Sequence, residues 1–179
     1  MNQPFPDVFQ ECIKHRSSHL CGAYPYASGE ILSPLSKAIS ARKILEVGTG
    51  LGYSTLCLLE SNPLGEIVTI DQDATHVATA KKIWEQHGYE KQITTYVEKA
   101  EDVLSRLSEQ FDLIFFDGYV PQMKMLLQFE KLLRKDGILV TTNLFLRDEK
   151  GGKYLKALLD RKKWETGIFS DTAISTKLI

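Results

Sequence analysis

The run Glu46-Val47-Gly48-Thr49-Gly50-Leu51-Gly52-Tyr53-Ser54 carries the strongest chemical signal in the sequence. Alternating glycines at a strand-to-helix turn let a ligand approach the backbone closely. A helix beginning near Tyr53 offers free N–H groups and a positive dipole end to an anionic group. Asp71 ends the next apolar strand, where its carboxylate can accept from the hydroxyls of a ribose. Two classes of ribose-bearing ligand compete for this pattern. The dinucleotide fingerprint is G-x-G-x-x-G. Here the glycines run G-x-G-x-G, and Tyr53 holds the position of the last fingerprint glycine. A dehydrogenase also needs a substrate domain, and the residues after Asn143 are spent on a helix and a hairpin. A nucleotide-dependent oxidoreductase is therefore the weaker reading.

The elements that must position these groups follow from alternating apolar runs. Strands are expected at Lys43–Val47, Glu66–Ile70, Ile93–Val97, Phe111–Phe116 and Gly137–Thr142. Helices are expected at Val8–His15, Ile31–Ile39, Tyr53–Glu60, Ala100–Leu107 and Gly152–Leu159, with a stripe of Met125, Phe129, Leu132 and Leu133 marking another. Asp73 can cap a helix that carries Val77, Ala80 and Trp84 on one face and stops at Gly88. Two β-like runs, Trp164–Phe169 and Thr172–Leu178, join through Ser170-Asp171 as a hairpin. Strand–helix alternation implies a mostly parallel sheet covered on both faces. Ligands in such sheets bind beyond the carboxyl ends of the strands. That rule selects the glycine turn, Asp71, Lys99 to Asp102, Asp117 to Tyr119, and Thr142-Asn143.

Composition narrows the class. The chain has 179 residues, enough for one domain, with 22 Lys plus Arg against 23 Asp plus Glu. A net charge of −1 argues against a chain devoted to gripping a phosphate backbone. No apolar run is long enough to span a membrane, and Met1 to Leu20 lack the apolar stretch of a signal peptide. Cys12, Cys21 and Cys57 form no C-x-x-C pair, which fits a reducing, cytoplasmic setting. Cys57, among leucines, reads as core. The run Arg161-Lys162-Lys163 reads as a solvated helix end. His15, His19, His76 and His87 show no metal-ligand spacing, and His76 and His87 are expected on the exposed side of one helix. His19, preceding the loop Cys21–Ala27, is a candidate base because imidazole titrates near neutrality.

The segment from Leu45 to Asn143 resembles class I S-adenosylmethionine-dependent methyltransferases, and within them the catechol and caffeoyl-CoA O-methyltransferase-like family. The resemblance rests on Ile44–Thr55, on Val68-Thr69-Ile70-Asp71 and on Phe111–Asp117. It implies a Rossmann-like α/β fold: a mostly parallel seven-stranded sheet, helices on both faces, and a C-terminal antiparallel hairpin. It implies one methyltransferase domain over 1–179, with a helical cap over 1–40 and a core over 41–179. It further implies S-adenosylmethionine (SAM) as cofactor. Glu46 and Gly48 would line its methionine part, beside Gly50 and Gly52. Ser54 would hold its carboxylate and Asp71 its ribose. Ala100 and Glu101 would border the adenine. Asp117 would lie beneath the sulfonium, near Tyr119, with Tyr24 covering it. Packing is an equal reading for Tyr24 and Tyr26.

The acceptor side departs from the family. Metal-dependent members carry an Asp after the fourth strand and an Asp-Asn pair after the fifth. Here the first is Asp117, but the pair is Thr142-Asn143, leaving a degenerate metal site of Asp117 and Asn143. Divalent hard cations want charged oxygens, so a neutral Thr weakens such a site. Asp148 or Glu149 could substitute. The family's lysine three residues past the first Asp is Val120 here, and Lys124 lies one helical turn further on. Asp117, Lys124 and His19 are thus the candidate catalytic groups. The expected activity is O-methylation of a small-molecule acceptor, with a divalent metal doubtful. The open alternatives are a non-catalytic SAM-binding protein, an RNA-modifying methyltransferase or the oxidoreductase. No membrane partner is expected and nucleic acid is disfavoured. The stretch before the glycine turn is short for the family, so the acceptor cleft is open or closed by a partner chain, and a homodimer is expected.

Overall fold

The computed structural model describes residues 3–146 and 151–179. Seven strands form one sheet: β1 (Lys43–Val47), β2 (Glu66–Asp71), β3 (Ile93–Val97), β4 (Phe111–Phe116), β5 (Leu133–Thr141), β6 (Trp164–Phe169) and β7 (Thr172–Lys177), ordered β3-β2-β1-β4-β5-β7-β6. The first five strands pair in parallel, and β7 runs antiparallel to both β5 and β6. The expected architecture and terminal hairpin are both present.

Successive residues of a strand face opposite sides of the sheet, and the two hydrophobic clusters follow that alternation. Ile44, Ile67, Leu113, Phe115 and Val140 pack on one face. There they meet α1 (Pro6–His19), α2 (Leu32–Ala38), α3 (Tyr53–Leu59) and α4 (Ala74–His87) through Val8, Leu32, Leu56 and Trp84. Leu45, Val47, Ile70, Ile114 and Leu139 pack on the other. Their partners are α5 (Ala100–Arg106), α6 (Met123–Leu132) and α7 (Gly151–Leu158), through Val103, Phe129 and Tyr154. Burial on both faces explains why the strands read as continuous apolar runs.

Most boundaries fall within a residue of expectation, and three differences have a physical reason. The first helix continues past His15 to His19, and its exposed last turn is tied by Ser17 and Ser18 hydroxyls donating to Ile13, Lys14 and His15 carbonyls. Ile31–Ile39 divides into a 3-10 turn, Gly29–Ile31, and α2. Leu133 belongs to β5, not to the helical stripe. It pairs with Phe111, after which the register jumps to Leu113 with Ile138 through a bulge containing Asp136 at φ 59°. The bulge ends at Gly137, where the strand was expected to begin. Asp73 caps α4 by accepting from the Thr75 and His76 N–H groups, and Gly88 ends it in the left-handed conformation. Arg161-Lys162-Lys163 is exposed, but it lies in the turn after α7. Among the described residues no helix is long and apolar enough to cross a membrane.

Candidate active site at the carboxyl ends of the strands

The chain order reverses between β1 and its neighbour β4, and the crevice above that switch point is where such sheets take ligands. A cavity of about 760 Å³ opens there. Tyr24, Gly48, Gly50, Ser54, Asp71, Ala100, Glu101, Asp117, Tyr119 and Asn143 all line it. Sequence reasoning therefore assembled most of one wall set. Glu46, Gly52, His19 and Lys124 do not line it.

The glycines divide by what surrounds them. Gly48 has φ 100°, and a Cβ there would stand 2.5 Å from the Asp117 carbonyl oxygen, so glycine lets β1 and β4 end side by side. A Cβ on Gly52 would stand 2.2 Å from the Trp84 indole nitrogen, which donates to the Gly52 carbonyl. Gly50 differs: a Cβ there would meet only the Ala23 methyl, at 4.0 Å. Gly48 and Gly52 are packed by protein, whereas Gly50 leaves backbone bare toward the cavity.

Asp71 stands at the end of β2, its side chain only 15% exposed. One carboxylate oxygen accepts from the Gly50 N–H and the other from the Asp73 N–H, each at 2.9 Å. Each oxygen retains a lone pair for a further donor. Glu46 lies behind the glycine turn, fully buried. Hydroxyls of Ser54, Thr55 and Thr69 donate to it at 2.6, 2.5 and 2.6 Å. Burial pushes its carboxyl up to about 7, against those three hydrogen bonds. The Ser54 proton is therefore committed to Glu46, although its side chain reaches the cavity wall. Thr55 and Thr69 were not foreseen. Their signal is small hydroxyl side chains at inward-facing positions around a lone buried acid.

Asp117 follows β4 at the cavity floor. Its Oδ1 accepts from the Thr142 hydroxyl at 2.5 Å and from the Asn143 amide at 3.1 Å, and that amide also donates to the Gly118 carbonyl at 2.8 Å. Asn143 holds this place with φ 60°. Burial raises the Asp117 carboxyl to about 7, and the nearby Glu46 and Asp171 charges add to the rise. Asp117, Thr142 and Asn143 offer a hard cation one carboxylate, one hydroxyl and one amide whose N–H groups are already engaged. That set does not fit Mg²⁺ or Ca²⁺, which favour several charged or carbonyl oxygens. Asp148 and Glu149 lie outside the described residues.

Lys124 is bonded to Glu101 at 2.7 Å, and its ammonium holds the Glu101 carboxyl below the usual carboxylate range. Val120, three residues past Asp117, lines the cavity. Tyr24 is 61% exposed at the mouth, with the Arg16 guanidinium 3.6 Å from its ring centroid. Tyr26 is buried against Phe115, and its hydroxyl meets that of Thr172 at 3.2 Å. Tyr26 thus packs in the core and also lines the cavity. Cys57 is core, as expected.

The histidines require a correction. His76 is buried, 7% exposed, not on an exposed face. Nor do the histidines lack ligand spacing, because α1 extends far enough to align His15 and His19 one turn apart. Cys21 and His76, unforeseen, line the cavity at its Asp71 end. The missed signal was a His pair at i and i+4, hidden by ending the helix at the first of them.

Residues 7–151 match the family model described as O-methyltransferase. The chain is 33% identical over 127 residues to a catechol O-methyltransferase of Niastella koreensis, covering 68% of this chain and 58% of that one. It thus spans less than two thirds of that relative's length. Among solved structures, it resembles an O-methyltransferase from Bacillus cereus in complex with SAH, at a TM-score of 0.82 and 20% identity, covering 98% and 92% of the two chains. It also resembles the O-methyltransferase TomG from Streptomyces achromogenes, solved with SAM, at 0.82 and 20%, covering 97% and 90%. At that identity the likeness is one of fold.

Proposed function

The chain belongs to the O-methyltransferase family, and we propose that it transfers the methyl group of SAM directly to an oxygen of a small molecule without a divalent cation. The observation that carries this reading is the single cavity wall running from Asp71 past Gly50 to Asp117. Its volume falls in the range of small-molecule and cofactor sites. Gly50 supplies bare backbone and Asp71 supplies free lone pairs for ribose hydroxyls. Ala100 and Glu101, which also line the cavity, border the adenine in this reading. When bound, SAM supplies an already electrophilic methyl group.

The chain's own work is then alignment and proton removal. Holding an acceptor in line can contribute roughly 7–11 kcal/mol in favourable cases. Asp117 is the acid on the cavity floor, oriented by Thr142 and Asn143. With a value near 7 it is suited to accept a proton from an acceptor hydroxyl at neutral pH. Tyr119 on the rim and Tyr24 at the mouth bound the acceptor. In this reading, residues 1–40 form a cap over a core of 41–179. Three free cysteines support a reducing, cytoplasmic setting. The exposed Ile168 and Phe169 of the edge strand β6 support pairing of two copies, which light scattering would test.

The direct test is calorimetric titration with SAM and its demethylated product SAH, with NAD as control, followed by methyl transfer to a panel of phenols, catechols and amines. Micromolar binding of both adenosyl ligands, no NAD binding and turnover of a hydroxyl acceptor are expected with magnesium chelated. Absence of adenosyl binding by the folded protein would sink the proposal.

A further inference from the structure

Four side chains from three elements converge beside the Asp71 end of the cavity. His15 and His19 come from the C-terminal end of α1, one turn apart, Cys21 from the loop after it, and His76 from the first turn of α4. Each offers one ligand atom, and these four atoms all lie within 4.8 Å of one another. The three rings stand 4.8, 5.2 and 5.5 Å apart, centre to centre. No hydrogen bond joins them among the described residues. Instead, the Nε2 atoms of His15 and His76 are buried without any partner. A buried polar atom left unpaired is costly, and two of them within one His/Cys cluster mark a place suited to a ligand.

We propose that His15, His19, Cys21 and His76 bind one zinc-class transition-metal ion. Three imidazoles and a thiolate are a ligand set for zinc and its neighbours, while magnesium and calcium favour oxygen. Tetrahedral coordination with Zn–N near 2.0–2.1 Å and Zn–S near 2.3 Å puts ligand atoms ~3.3–3.7 Å apart. With all four ligand atoms within 4.8 Å of one another, the cluster stands about 1 Å from that spacing. A supporting shell is already present. With Nε2 left for the ion, His76 Nδ1 faces an Asp71 carboxylate oxygen 3.8 Å away. Carboxylates beside a ligating imidazole orient the ring and raise its basicity. His19 is exposed and Cys21 partly so, which gives the ion a path from solvent. On binding, the Cys21 thiol releases its proton to solvent.

The ion would fasten the end of α1 and the start of the Tyr24 loop to α4. Those segments hold the cavity mouth, so the site is a staple on the cap. It does not depend on the methyltransferase reading, because it is tested without SAM.

The test uses the full chain, treated with chelator, kept reduced and titrated with Co²⁺ and then Zn²⁺. One equivalent of Co²⁺ is expected to give intense tetrahedral visible bands and a thiolate-to-cobalt charge-transfer band, both lost when Zn²⁺ displaces it. Cys21→Ser should remove the charge-transfer band. His76→Gln, and His15→Gln with His19→Gln, should weaken Zn²⁺ binding at least ~10-fold, whereas His87→Gln should not. No uptake, a weak octahedral spectrum, or binding indifferent to the cluster substitutions would overturn the proposal. The wild-type cobalt spectrum decides the matter even if a variant fails to fold.

Discussion

Thr142 donates its hydroxyl proton to Asp117 across the ends of adjacent strands, at 2.5 Å, from the position where metal-dependent relatives would carry a second acid. The neutral partner orients Asp117 without sharing a cation with it. Thr142→Asp is expected to convert the pair into two repelling carboxylates that a divalent ion relieves. Saturating Ca²⁺ or Mg²⁺ should then raise the melting temperature of Thr142→Asp, by ~2–4 °C per kcal/mol of binding, and leave that of the wild type unchanged. Differential scanning fluorimetry with a chelator control reads both. An equal shift in the wild type would contradict the metal-independent site.

Asp117→Asn keeps the shape and the bonding to Thr142 but removes the base. We expect kcat to fall about 10²–10⁴-fold, with a smaller change in KM. The wild-type rate should rise with pH through about 7, as Asp117 loses its proton, and the variant should lose that limb. Lys124→Met should leave kcat close to wild type, since Lys124 is spent on Glu101. Pre-steady-state methyl transfer across pH distinguishes these outcomes.

Asp71→Ala should weaken SAH binding by about 10-fold or more, the worth of one or two hydrogen bonds to a charged group. Asp71→Asn should fall between, because an amide retains one acceptor. Calorimetry on both, beside circular dichroism, separates lost ligand contacts from a loosened Gly50 turn.

The glycines should fail in different ways. Gly52→Ala drives a methyl into the Trp84 indole, so a loss of ~1–3 kcal/mol in unfolding free energy is expected, with altered tryptophan fluorescence. Gly50→Ala has room among protein atoms and should cost only about 1–2 kcal/mol for its left-handed backbone. Its SAH affinity should fall further than its stability does. Urea melts and calorimetry on the same preparations compare the two.

Glu46 sets a pH dependence of stability. Its carboxyl titrates near 4.5 when unfolded and about 7 when folded, so between those values the native state holds a proton the unfolded chain has released. Stability is therefore greatest at the acid end of that window and falls as pH rises through 7, by on the order of 3 kcal/mol. Asp117 contributes in the same direction, coupled to Glu46. Glu46→Gln should flatten the pH 5–8 profile in thermal melts. An unchanged slope would refute the assignment.

Much of this was legible in the amino-acid order because both faces of the sheet are buried. Ile93–Val97 and Phe111–Phe116 were bounded to the residue by apolar runs and turn residues. Legibility failed where a local rule competed with tertiary structure. Leu133 continues the helical stripe of Phe129 and Leu132 in phase, yet pairing with Phe111 takes it into β5. His19 lies beyond Ser17 and Ser18, which favour caps over helix interiors, but their hydroxyls bond back and carry the helix on. In the site, strand-end positions located Asp71 and Asp117 without difficulty. The hydroxyl cage around Glu46 is hard to read in sequence because Thr69 of β2 meets Ser54 and Thr55 of α3 only in space.

The bond between the Tyr26 and Thr172 hydroxyls spans 146 positions of chain. The loop that shelters the cavity is thus anchored partly on β7, the strand that completes the sheet beside β5. A nascent chain leaving the ribosome can pair β1 with β2 early, but it cannot seat that loop until β7 has emerged. Order over the reacting groups therefore waits on a contact made across most of the fold, long-range closure of the kind that slows folding. A partly made chain exposes an open, unfinished crevice.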